Sequence, residues 1–279
     1  MQKERTMPYI ETQDESEIYF SDWGEGEPVV LIHGWPLDST SWEYQARFLA
    51  ENGYRVIAYD RRGFGRSERP YDGYDYDTLT SDLNDLLEAL DLTGVTLVGF
   101  SMGGGEVARY LATYGSERIA KAVFVGAVTP FLLKTEDNPD GIDASVFEGV
   151  LEGLQKDRFA FTTEFAKGFY GRTLLNHGVS DEVLHWHFLQ AVAASPVATI
   201  ECAKSWSSTD FREDLAKIDV PTLVLHGTSD KTVPIDISGR RTAALVPGAV
   251  LLEYEGEPHG FTATIPDQLN EDLLAFLRS

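Results

Sequence analysis

Gly99-Phe100-Ser101-Met102-Gly103 is a G-x-S-x-G pentapeptide set between an apolar run and a stretch with helical patterning. In that context a serine can act as a nucleophile. A strand that turns sharply into a helix brings neighbouring backbones close, so small residues flank the serine, and its Oγ stands exposed on a strained turn. A serine hydroxyl is a weak nucleophile at neutral pH and needs a base, normally an imidazole held in one tautomer by a carboxylate. Both groups occur downstream at the ends of apolar runs: Asp230 in VPTLVLHGTSDKTVP and His259 in LLEYEGEPHGF. The chain order Ser101, Asp230, His259 suits this chemistry on a strand-turn-helix elbow.

Acyl transfer also requires donors for the oxyanion of the tetrahedral intermediate. Met102 opens the helix after the nucleophile, so its backbone N–H is one donor, aided by the helix N-terminus. The second is expected from His33-Gly34-Trp35-Pro36, with the Trp35 N–H as candidate because a residue before proline is restricted to extended conformations. Pro36 has no N–H and shapes the pocket edge with a fixed φ. The other histidines read differently. His226, before Gly227 at a strand end, and His33 read as hydrogen-bonded scaffold residues. His185 and His187 flank Trp186 on different faces of one helix and share no metal. His177 reads as a loop residue, Asp60 in YDRRGFGRS as structural, and Cys202 as a small buried hydrophobe.

Short β-branched runs alternating with helical patterns must carry these groups, which predicts an α/β fold with parallel strands and crossover helices. The expected strands are Glu17 to Phe20, Val29 to His33, Arg55 to Tyr59, Thr96 to Phe100, Ala122 to Val125, Thr222 to His226 and Val250 to Tyr254. Trp42, Gln45, Phe48 and Leu49 fit one helix, and Leu79, Leu83, Leu86, Leu87 and Leu90 a second. From Phe131 to Lys217 the alternation stops. Apolar stripes at Val146, Phe147, Val150, Leu151 and Leu154, at Phe159, Phe165 and Phe169, and at Val183, Leu184 and Phe188 predict a helical insertion. It is entered through KTEDNPDGID from Lys134. The expected division is a core of 1–130 and 218–279 with a helical cap of 131–217.

The 279 residues include 43% hydrophobic side chains, enough for a large core. No apolar stretch approaches the roughly 18 residues of a membrane span. The first residues lack the apolar middle of a signal peptide, which predicts a cytoplasmic protein. The single cysteine excludes an internal disulfide, and no Cys/His cluster has zinc spacing, so no metal or other cofactor is expected. With 45 acidic against 23 basic residues the net charge is −22, a balance that disfavours nucleic acid and anionic lipid as partners. It fits either a well-solvated surface or adaptation to high salt.

Taken together, several segments resemble the α/β-hydrolase superfamily, and more narrowly the cofactor-free bacterial haloperoxidase (perhydrolase) and aryl esterase family. They are HGWPLDSTSWEYQ from His33, AYDRRGFGRS from Ala58, GYDYDTL from Gly73, LVGFSMGGGEVARY from Leu97, GAVTP from Gly126, KIDVPTLVLHG from Lys217, PHGF from Pro258 and QLNEDLLAFL from Gln268. The resemblance implies an eight-stranded, mostly parallel sheet, a helical cap over Ser101, a Ser101-His259-Asp230 triad and oxyanion amides at Trp35 and Met102. It also implies a small apolar pocket of Phe100, Phe131, Phe165, Phe169, Trp206 and Val233, with Pro36 similar to haloperoxidase-type members. The implied partners are a small ester or carboxylic acid with water or hydrogen peroxide, and the implied assembly is a homo-oligomer. The N-terminal segment and the insertion depart most from the family. Ser101 argues against the relatives on this fold that use an aspartate nucleophile. A lactonase, γ-lactamase or C–C bond hydrolase, or a hydrolase-like receptor, remains open.

Overall fold

The structure, a computed structural model, describes residues 8–173 and 178–279; the expectation for His177 lies outside them. Each expected strand is present: β2 (Glu17–Trp23), β3 (Glu27–Ile32), β4 (Tyr54–Tyr59), β5 (Val95–Phe100), β6 (Ile119–Val125), β7 (Thr222–Gly227) and β8 (Val250–Tyr254). An eighth, β1 (Tyr9–Glu11), completes the sheet. Its three residues bury only Ile10, too short a run for alternation to reveal. The order is β1-β2-β4-β3-β5-β6-β7-β8, with β2 antiparallel to β1 and β4 and the remaining pairs parallel.

The central strands are apolar on both faces because both are covered, as parallel sheets require. Val30, Ile32, Leu97 and Phe124 pack with α2 (Tyr76–Ala89) and α3 (Met102–Tyr114), while Val29, Leu31, Val98 and Val123 pack with α1 (Glu43–Glu51) and with Leu269, Leu273 and Leu277, which belong to the C-terminal helix. Asp75 caps α2 by accepting the Thr78 N–H at 3.0 Å, and Leu79, Leu83, Leu86 and Leu87 form its buried stripe. Leu90 is the C-cap, outside the helix. Trp42 likewise belongs to a separate 3-10 turn before α1. Asp38 caps the start of that turn, accepting the Thr40 N–H at 2.9 Å.

Between β6 and β7 lie α4 (Ala144–Phe169), α5 (Asp181–Ala193), α6 (Pro196–Ser208) and α7 (Arg212–Leu215), with no strand among the described residues. The two apolar stripes read on either side of residue 157 are two helical segments joined at a kink. Asp157 leaves helical geometry (φ −159°, ψ 88°), and its Oδ1 accepts the Ala160 N–H to restart the helix. Phe147 and Leu154 are buried, whereas Val146 and Phe159 are exposed and do not belong to the stripes. In α5 the buried face is His187, Gln190 and Ala191. Val183, Leu184 and Phe188 are only half-buried. The α4 and α6 helices pack on one another, and α7 returns to α3. The Trp35 ring lies edge-on to Phe165 of α4, and its Nε1–H donates to the Thr199 carbonyl of α6 at 2.9 Å. These helices therefore sit over the C-terminal ends of β3 and β5. No helix among the described residues is long and apolar enough to cross a membrane.

Candidate active site

Ser101 stands between β5 and α3 with φ 53° and ψ −116°, a conformation that a residue with a side chain adopts only under constraint. The constraint is local. The Ser101 N–H donates to Val125 O at 2.8 Å, and its carbonyl accepts from Gly104 and Val128. A Cβ on Gly99 would lie 2.4 Å from Gly103 O, and one on Gly103 would lie 2.5 Å from Ile32 O. Glycine at both positions thus lets the helix start close against β3 and β5 while the serine takes the strained turn.

Parallel strands deliver the other groups to the same end of the sheet. Asp230 follows β7, His259 follows β8, and both are buried. The His259 Nδ1–H donates to Asp230 Oδ2 at 2.6 Å, and Ser101 Oγ–H donates to His259 Nε2 at 2.9 Å. Asp230 Oδ1 accepts the backbone N–H groups of Thr232 and Val233 at 2.9 and 2.8 Å. Burial would raise the Asp230 pKa, but the nearby His259 and the hydrogen bonds from His226 and His259 outweigh it and hold the carboxyl well below its usual range. An ionised carboxylate can only accept, so it fixes the imidazole proton on Nδ1 and leaves Nε2 to take a proton from the serine. His226 Nε2 donates to Val233 O at 2.8 Å and lies 3.3 Å from Asp230 Oδ2. It is a scaffold residue that also helps seat the carboxylate.

Met102 opens α3, so its N–H lies ahead of the first intrahelical bond. Among the described residues the Trp35 backbone N–H has no hydrogen-bond partner. Ser101 and His259 adjoin a narrow cavity of about 10 Å³ also lined by Trp35, Val128, Phe165, Trp206, Thr232 and Val233. Of the expected pocket residues, Phe165, Trp206 and Val233 line it.

Pro36, Phe100, Phe131 and Phe169 do not line this cavity. Pro36 is buried in the turn after Trp35. Phe100, the last residue of β5, points to the opposite sheet face, where it meets Trp42 and the His259 ring, with centroids 6.0 and 5.1 Å away. Phe131 stacks under the Arg212 guanidinium at 5.3 Å. Phe169 lies edge-on to His259 at 4.9 Å and to His187 at 5.0 Å, which makes it a wall behind the imidazole. The residue types alone do not reveal Val128, Thr232 or the Trp35 ring as lining groups. Their signal is positional, since Val128 follows a strand adjacent to β5 and Thr232 lies two residues after Asp230.

His187 is buried and His185 exposed, as their spacing requires. Among the described residues no group of three or more His, Cys, Asp or Glu side chains is arranged to hold a metal.

Comparisons with known proteins agree with this architecture. A family model described as alpha/beta hydrolase fold matches residues 27–261. A non-heme chloroperoxidase from Streptomyces lividans is 46% identical, covering 98% of this chain and 100% of the relative. A bifunctional esterase/perhydrolase from Acinetobacter calcoaceticus is 43% identical over the same shares. The crystal structure of a bromoperoxidase from Bacillus anthracis superposes with a TM-score of 0.92 at 52% identity, covering 96% of this chain and 97% of the other. With a family model matched over most of its length and relatives this similar end to end, the chain belongs to the α/β hydrolase fold family.

Proposed function

We propose that the protein is a serine hydrolase of small carboxylic esters that also transfers the acyl group to hydrogen peroxide. The observation that carries this reading is the unbroken hydrogen-bond chain from Ser101 Oγ through His259 to Asp230 beside an apolar cavity. In the proposed mechanism Ser101 Oγ attacks the ester carbonyl as His259 Nε2 takes its proton, and Asp230 stabilises the imidazolium. The Trp35 and Met102 amides hold the oxyanion. His259 then returns the proton to the leaving alkoxide. Water or hydrogen peroxide attacks the acyl-enzyme, giving up a proton to His259, and the serine leaves with that proton. The products are a carboxylic acid or a peracid; a peracid released into solution can oxidise halide there. The names of the Streptomyces and Acinetobacter relatives support both branches.

Trp35, Phe165 and Trp206 crowd this narrow cavity, which favours short acyl chains. We assign α4–α6, within 131–217, the role of a cap that excludes bulk water from the acyl-enzyme. The net charge of −22 favours small-molecule partners over polyanions.

The test follows acetate and peracetic acid from a simple acetate ester with and without peroxide, using Ser101→Ala as control. The expected outcome is peracid that depends on Ser101, with ester turnover lowered on the order of 10⁴-fold or more in the variant. Acetate as the only product would remove the peroxide branch, and turnover that survives in Ser101→Ala would remove the reading altogether.

A further inference from the structure

The two proposed oxyanion donors belong to different parts of the chain. Met102 opens α3, whereas Trp35 lies in the loop after β3. A pair of donors stabilises an oxyanion only if both aim at the same point, so something must set the loop amide against the helix. A chain of buried hydrogen bonds runs between them.

It starts at Glu106, one turn into α3 and fully buried. Glu106 Oε1 accepts from Arg61 Nε at 2.7 Å and also from Arg61 Nη2; Oε2 accepts from the Tyr59 hydroxyl at 2.6 Å. Arg61, itself 1% exposed, turns to the loop. Its Nη2 donates to the His33 carbonyl at 2.8 Å, and its backbone N–H donates to His33 Nε2 at 3.0 Å. A backbone N–H can only donate, so Nε2 is the acceptor nitrogen and the imidazole proton sits on Nδ1. Burial and the Arg61 charge hold His33 neutral, well below the usual imidazole range, which agrees with that tautomer.

The Nδ1–H then donates to the Gly34 carbonyl at 2.9 Å, which also accepts the Leu37 N–H at 3.0 Å. Gly34 C=O and Trp35 N–H belong to one peptide unit, which is planar, so fixing the oxygen fixes the direction of the N–H. The loop has little room to adjust otherwise, because a Cβ on Gly34 would lie 2.8 Å from the Phe100 ring and 3.1 Å from Ser101 Cβ.

We infer that Glu106, Arg61 and His33 are positioning residues that set the Trp35 N–H against the Met102 N–H at the oxyanion site. This rests on the oxyanion reading given under Proposed function. None of the three touches the reacting atoms. Their effect is exerted through the Gly34–Trp35 peptide and belongs to the transition state, not to substrate affinity.

The test uses His33 variants that leave the buried ion pair intact. In His33→Asn the side-chain amide can occupy the Nδ1 position and keep the bond to Gly34 O. In His33→Gln the amide oxygen can occupy the Nε2 position, keeping the Arg61 contact and losing the one to Gly34. Ester kinetics are read together with a carbonyl-¹³C-labelled trifluoroacetone adduct. Ser101 Oγ adds to the ketone carbon, its proton passes to His259, and the carbonyl electron pair becomes a hemiketal oxyanion whose pKa the ¹³C shift reports.

The wild type is expected to ionise the hemiketal at neutral pH. His33→Gln should lower kcat by roughly 10- to 100-fold with KM little changed, part of the loss from deleting a donor outright, and should raise the hemiketal pKa. His33→Asn should keep both close to wild type. A folded His33→Gln with wild-type kcat and hemiketal pKa would overturn the inference. Should His33→Gln not fold, Glu106→Gln carries the test on the same readouts, with a smaller effect in the same direction expected and no effect overturning it. A wild-type hemiketal that stays neutral would instead overturn the oxyanion reading beneath it.

Discussion

Ser101 carries two requirements that compete. Its φ of 53° with ψ −116° suits glycine better than serine, and such strain costs on the order of 1–3 kcal/mol. The hydroxyl must nevertheless stand at this point to meet His259 Nε2 at 2.9 Å. The expected outcome of Ser101→Gly is therefore loss of turnover with a gain in stability of about 1 kcal/mol. The gain is the relieved strain less the greater chain entropy of glycine in the unfolded state. Denaturant titration checks it; a less stable variant would mean that the elbow is not strained. Asp230 meets a different requirement. Two backbone N–H groups on Oδ1 and the imidazole on Oδ2 saturate a carboxylate that burial alone would protonate. Serine, aspartate and histidine were all legible from residue type and neighbours. The Asp230 contacts with His226, Thr232 and Val233 were not, since loop conformation decides them.

At the scale of elements, α4 and α5 support the imidazole from behind. Phe169, at the end of α4, places its ring against His259, and its carbonyl accepts the Gly260 N–H at 2.8 Å. His187 on α5 lies edge-on to the same Phe169 ring, and its Nδ1 lies 3.3 Å from the Tyr170 hydroxyl. Burial, with a smaller contribution from the charge of His259, lowers the His187 pKa from 6.5 to about 3. The folded value thus lies below the unfolded one, so between about pH 6.5 and 3 the unfolded chain binds the extra proton. Stability must fall as pH falls through that window, by at most ~1.4 kcal/mol per pH unit from this group. In His187→Phe this part of the loss disappears. Thermal melts between pH 7 and 4.5 should therefore show a shallower decline than wild type; parallel curves would mean that His187 is protonated in the folded protein. The helical periodicity of this region was readable, but which face each helix buries was not, because helices that pack on one another bury polar residues such as His187 and Gln190 wherever the neighbouring helix lies.

Across the whole molecule, a net charge of −22 on one chain is a self-repelling field. The expected outcome is a melting temperature that rises from low salt to molar KCl as the screening length contracts from roughly 30 Å at 0.01 M to 3 Å at 1 M. An unchanged or lower value would show that ion pairs such as Arg55–Asp22 and Arg240–Glu253 already balance the repulsion. The sequence by itself determined the α/β class, seven of the eight strands, and the serine, acid and imidazole with their order. Each of these is written in local pattern, where apolar runs make strands and glycine spacing makes the elbow. Only the tertiary structure decided which aromatic side chains reach the cavity. Phe100 and Phe169 share the apolar character of Phe165 and Trp206, yet they stand on faces that turn them behind His259. The same holds for the Glu106–Arg61–His33 chain, whose members come from three separate segments. Spacing along the chain encodes which face of its own element a residue occupies; what lies opposite that face depends on how the elements pack.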